Sequence, residues 1–165
     1  MGIRAGALLG ALLVALASPA MAEQVRLPHD EFLPPDVYGS RQDRPDHVLF
    51  QVTAYRLTLG SETIPQAIPG VQGSSAWLFL DGHSLVDGNP IDRAQVNLIE
   101  AGGRMLPARL DRSSNTLMLF MPAAQLDTLL TLFASPGPHY VQARFYANGT
   151  VWSDIHSGPV KLGIE

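Results

Sequence analysis

The order of side chains in residues 47–165 predicts a mainly β domain, folded as two stacked antiparallel sheets with one short helix. Three patterns carry that expectation: a period of two through 48–59 and 140–156, short apolar runs separated by Gly, Asn, Asp or Pro, and one stretch at helical spacing.

Val48, Phe50, Val52 and Ala54 alternate with Leu49, Gln51, Thr53 and Tyr55, after which Tyr55, Leu57 and Leu59 become the apolar set. That change of phase predicts a bulge, or a strand that crosses from one sheet to the other. Residues 60–73 read as a loop. Residues 75–80, Ser-Ala-Trp-Leu-Phe-Leu, form a buried strand that closes at Asp81-Gly82, and a second loop runs through 87–90. Residues 96–101, the turn Gly102-Gly103 and 104–110 then read as strand, turn and strand, with Leu106, Ala108 and Leu110 on one side. After a turn at 111–115, the run 116–121 is apolar at nearly every position, which predicts a central strand covered on both faces. Leu126, Leu129, Leu130 and Phe133 then fall at i, i+3, i+4 and i+7 in the one helix, which Pro136-Gly137-Pro138 ends.

The last hairpin has two possible registers. A two-residue Asn148-Gly149 loop would set Asp154 opposite Ala143 and His156 opposite Val141, placing charge in an apolar layer. A three-residue loop, Ala147 to Gly149 with Gly149 left-handed, removes the conflict. Val141, Ala143 and Phe145 then share the inner face with Val151, Ser153 and Ile155, and Arg144 stands opposite Trp152 outside. On that face the guanidinium and the indole are placed to stack.

Pro136-Gly137-Pro138-His139-Tyr140 leading into a strand, a Gly turn, Trp152-Ser153, and Ser157-Gly158-Pro159-Val160-Lys161-Leu162 follow in order. Over this segment the chain resembles the closing hairpin of immunoglobulin-like and fibronectin type III domains. The resemblance implies an antiparallel immunoglobulin-like sandwich.

Ahead of the domain, Arg4 precedes an uncharged run over 5–18 and then Pro19-Ala20-Met21-Ala22. These are the parts of a secretory signal peptide, residues 1–22, cleaved after Ala22, and they predict a periplasmic or secreted protein. The run is shorter than the roughly 18 residues a membrane-crossing helix needs, so no transmembrane segment is expected once the signal is removed. Residues 23–46, with Pro28, Pro34, Pro35 and Pro45, form an extended arm, and 47–165 are one domain. There is no cysteine, which removes disulfides, thiolate catalysis and thiolate metal sites.

Loss of Arg4 with the signal leaves 10 basic residues against 15 acidic ones, a charge of −5. Without clustered Lys or Arg, nucleic acid is not an expected partner. No Gly-x-Ser-x-Gly elbow, His-Glu-x-x-His motif, phosphate-cradling loop or dinucleotide fingerprint is present, and no cofactor is indicated. A non-catalytic module that binds a protein of the cell envelope is therefore the first expectation, through the outer row Tyr140, Arg144, Tyr146 and Trp152. The second is a small-ligand module for a glycan, using Trp152 with Tyr146, or for a metal ion. Asp81-Gly82-His83 and Asp154-Ile155-His156 each place one carboxylate and one imidazole on one strand face, the donor types a divalent cation takes. Turn and surface roles explain those four residues without a metal, and core packing accounts for Met105, Met118 and Met121.

Overall fold

The computed structural model describes residues 26–60 and 74–158. The signal segment and the loop after Gly60 lie outside those residues. Seven strands follow in chain order: β1 (Asp46–Leu59), β2 (Ser74–Ser84), β3 (Arg93–Ile99), β4 (Arg109–Asp111), β5 (Thr116–Pro122), β6 (His139–Phe145) and β7 (Val151–Ser157). One helix, α1 (Leu126–Ala134), is entered through a 3-10 turn at Ala123–Gln125.

All seven strands join one sheet in the order β4-β5-β3-β2-β1-β6-β7. The sheet is mixed and so strongly curled that it makes a half-barrel. This corrects the expected antiparallel immunoglobulin-like sandwich: there is one sheet, β3 and β5 run parallel, and the resemblance of the closing hairpin does not extend to the architecture. Alternation reports which side chains share a face, but it does not say what covers that face. Here the curled sheet closes its own apolar side with help from the helix. Val48, Phe50, Leu78, Leu80, Val96, Leu98, Leu117, Leu119 and Val141 form the core, and Leu129 of α1 enters it. Phe133 stacks on Tyr55 of β1 at 5.2 Å between ring centroids, fixing the far end of the helix.

The change of phase in β1 is a bulge, with the register shifting between Val52 and Ala54. Gly82 lies opposite this segment, and β2 runs on through it to Ser84 instead of ending at Asp81-Gly82. A Cβ on Gly82 would sit 2.0 Å from the Gln51 carbonyl oxygen, so glycine is required by the close approach of two backbones.

Two further corrections concern the middle of the chain. No strand is formed over residues 104–108, and β4 pairs with β5 rather than with β3. The turn after β4 is closed by Asp111, whose carboxylate accepts from Ser113 and Ser114, and it folds β5 into the place beside β3. β5 is buried on one face only: Leu117 and Leu119 are in the core, whereas Met118 and Phe120 are half-buried on the other side. The closing hairpin adopts the three-residue register, pairing Ala143 with Ser153 and Arg144 with Trp152, with Gly149 at φ 87°.

Candidate ligand-binding face

The outer face of the sheet is divided. Over β6, β7 and the first part of β1 that pairs with β6 it is covered by the chain's own arm; over the rest of β1 and over β2, β3, β5 and β4 lie the exposed Arg56 and Arg109.

The covered half consists of three cross-strand rows: Gln51, Tyr140 and His156; Leu49, Gln142 and Asp154; His47, Arg144 and Trp152. Arm residues 28–32 lie on them, with a 3-10 turn at Asp30–Phe32. Arg144 pairs with Asp30 and donates to the Pro28 carbonyl at 2.8 Å. Phe32 stacks on the His156 ring at 3.8 Å, and His29 meets the same ring edge through a 2.7 Å contact between Nδ1 and Nε2. Asp154 accepts at one oxygen from His156 Nδ1 at 2.6 Å, and at the other from Trp152 Nε1 at 2.6 Å and Gln142 Nε2 at 2.8 Å. Farther along, Asn148 Nδ2 donates to the Ser40 carbonyl at 2.6 Å.

Of the row Tyr140, Arg144, Tyr146 and Trp152, Tyr140 meets the arm at His29 and Arg144 meets it at Asp30 and Pro28. Arg144 is only 2% exposed and Tyr146 8%. Arg144 and Trp152 face each other in register, yet Arg144 donates to Asp30 and the Pro28 carbonyl and Trp152 Nε1 to Asp154.

The two Asp-x-His pairs are not brought together. His83, Gln51, Tyr140 and His156 follow one another across β2, β1, β6 and β7. His83 and His156 are therefore three strand spacings apart, about 14 Å. Both ring nitrogens of His156 are already engaged, one by Asp154 and one by His29. Among the described residues no three of His, Cys, Asp or Glu are grouped to hold a metal ion.

Two histidines where the arm meets the sheet, His47 and His29, are shifted toward the neutral form. Burial pushes the His47 imidazole down from 6.5 to about 4, Arg144 and His29 press the same way, and Asp30 and Gln142 oppose them. Burial likewise lowers His29, aided by His156 and Arg144 against Glu31 and Asp154.

The open half carries two rows. Arg56, Phe79, Gln95, Met118 and Arg109 stand on successive strands, and beside them run Thr58, Trp77, Asn97 and Phe120. Arg56 lies over the Phe79 ring at 4.8 Å and Arg109 over the Phe120 ring at 5.6 Å. Between them Gln95 Nε2 donates to Asn97 Oδ1 at 2.9 Å, and Asn97 Nδ2 donates to the Leu119 carbonyl at 3.1 Å. The amides are locked, so the surface is pre-shaped. Trp77, Phe79, Gln95, Met118 and Phe120 are all half-buried.

Sequence reading missed this face because the runs 75–80 and 116–121 look apolar throughout. A legible signal lay in the partner strand, where the polar Gln95 and Asn97 alternate with Ala94, Val96 and Leu98 of the core and mark the side that faces away from it.

Fold and site together define a single-sheet half-barrel with one arm-clad and one arm-free outer surface. No protein-family model matches the chain, and no curated protein and no solved structure matches it. Among the described residues no helix is long and apolar enough to cross a membrane.

Proposed function

We propose that the protein is an exported, non-catalytic module that binds a ligand of the cell envelope on the open half of its outer sheet face. The observation that carries this is the pair of exposed guanidinium groups, Arg56 and Arg109, each held over an aromatic ring and neither paired with a carboxylate among the described residues. Such groups present charged hydrogen-bond donors at small further cost in side-chain entropy, the property of a recognition surface. The chain Asp154, His156 and His29 has the polarity of a proton relay, but it ends in the ring stack of the arm, which favours a structural role.

Titration of the 15N-labelled chain 23–165 with soluble oligosaccharides and peptides tests the reading. Amide shifts are expected to cluster on β2, β3 and β5 around Trp77, Phe79, Gln95 and Phe120. Shifts confined to β6 and β7, or none with any ligand class, would overturn it.

A further inference from the structure

Among the described residues three arginines are paired with carboxylates: Arg144 with Asp30, Arg41 with Asp36 at 3.8 Å and Arg93 with Asp92 at 3.5 Å. Arg56 and Arg109, like Arg26, Arg44, Arg104 and Arg112, have no carboxylate at ion-pair distance among the described residues, but these two are also laid on aromatic rings. They stand at the two ends of a single row across five adjacent strands, with Phe79, Gln95 and Met118 between. Four strand spacings separate them, about 19 Å measured along the curled sheet.

We propose that the open face binds an acidic polysaccharide whose carboxylates are spaced several sugars apart, Arg56 and Arg109 each taking one carboxylate. The inference rests on the reading of that face as the recognition surface. Guanidinium groups favour carboxylates through paired, charge-assisted hydrogen bonds. The surface between them, with the rings of Trp77, Phe79 and Phe120 and Gln95 as a polar group, suits pyranose rings, which offer an apolar face and a rim of hydroxyls.

Charge density decides against a nucleic acid. A duplex carries about one charge per 1.7 Å, so the same span would present roughly ten phosphates to two cations. The flanking row holds the carboxylates Asp81 and Asp111 beside Arg93 and Thr116, which would repel a dense polyanion and tolerate a sparse one.

Calorimetry and amide-shift mapping with oligogalacturonate, and with the same oligomer after reduction of its carboxyl groups, test the proposal. Oligogalacturonate is expected to bind on β2, β3 and β5, to weaken as salt rises, and to lose about tenfold in affinity in each of Arg56→Gln and Arg109→Gln. Arg56→Lys, which keeps the charge and loses the fork, is expected to fall between. Equal binding of the reduced oligomer at the same residues overturns the acidic class and leaves the face as the site. Absence of shifts on the face with either oligomer, or shifts only on the hairpin, removes the face as well. Tighter binding of oligouridylate or polyglutamate there, or concentration-dependent self-association through these residues, overturns the proposal by naming another occupant.

Discussion

His29 and His156 stand 127 residues apart in sequence and touch through Nδ1 and Nε2 at 2.7 Å, tying the arm to the last strand. One ring must donate and the other accept, so the contact exists only while at least one facing nitrogen is unprotonated. Protonation of both rings would set two imidazolium ions beside Arg144.

Acid is therefore expected to weaken the fold and the arm first. The folded-state pKa of His47 is lowered to about 4 and that of His29 lies below 6.5, so the unfolded chain binds protons more readily between those values. Stability held by the neutral rings is complete above about pH 6.5 and is lost as pH falls through about 4. For His47 the loss is on the order of 2 kcal/mol once solvent screening of a half-buried ring is allowed for. Urea unfolding across this range checks the slope, which His47→Gln is expected to flatten; an unchanged slope would refute the assignment.

Arg144→Ala is expected to destabilise the domain by about 3 kcal/mol, because it leaves Asp30 and the Pro28 carbonyl without their buried donor. Calorimetric melting measures it. A melting point unchanged while ligand capture disappears would return this residue to a recognition role.

Phe32→Ala removes the ring stacked on His156 and is expected to cost about 1 kcal/mol, with hydrogen exchange rising in residues 28–33 far more than in β1. Equal exchange before and after substitution would show that the polar contacts alone hold the arm.

Gly82→Ala is expected to be among the most damaging small substitutions. Its Cβ would meet the Gln51 oxygen at 2.0 Å and the Phe50 ring at 2.7 Å, so the bulge must open, at a cost of about 3 kcal/mol or more. A wild-type urea midpoint in this variant would disprove the close approach.

Local features were legible where a local conflict had one remedy. The closing hairpin is an instance: only the three-residue turn keeps Asp154 and His156 out of the layer of Val141 and Ala143, and the structure adopts that register. The phase change after Val52 is another, since a one-residue slip is what a bulge produces. The candidate site was not legible in the same way. Trp77, Phe79 and Phe120 are as apolar as their core neighbours, and only the placement of β2, β3 and β5 side by side shows them lining up between two arginines. Arg144, conversely, has the look of an exposed anchor, and nothing near it in sequence discloses Asp30.

By itself the sequence determined that the chain is mainly β, where its one helix lies, how its last hairpin turns, and which side chains of β6 and β7 share a face. Those follow from side-chain period and turn chemistry, which act over a few residues. Tertiary structure alone decided that there is one curled sheet instead of two, that β5 lies parallel to β3, and that residues 28–32 take up Tyr140 and Arg144 of the row once expected to meet a partner. Each of these depends on contacts between distant segments, where chain closure, burial and ion pairing compete across the whole domain and no local pattern records which wins.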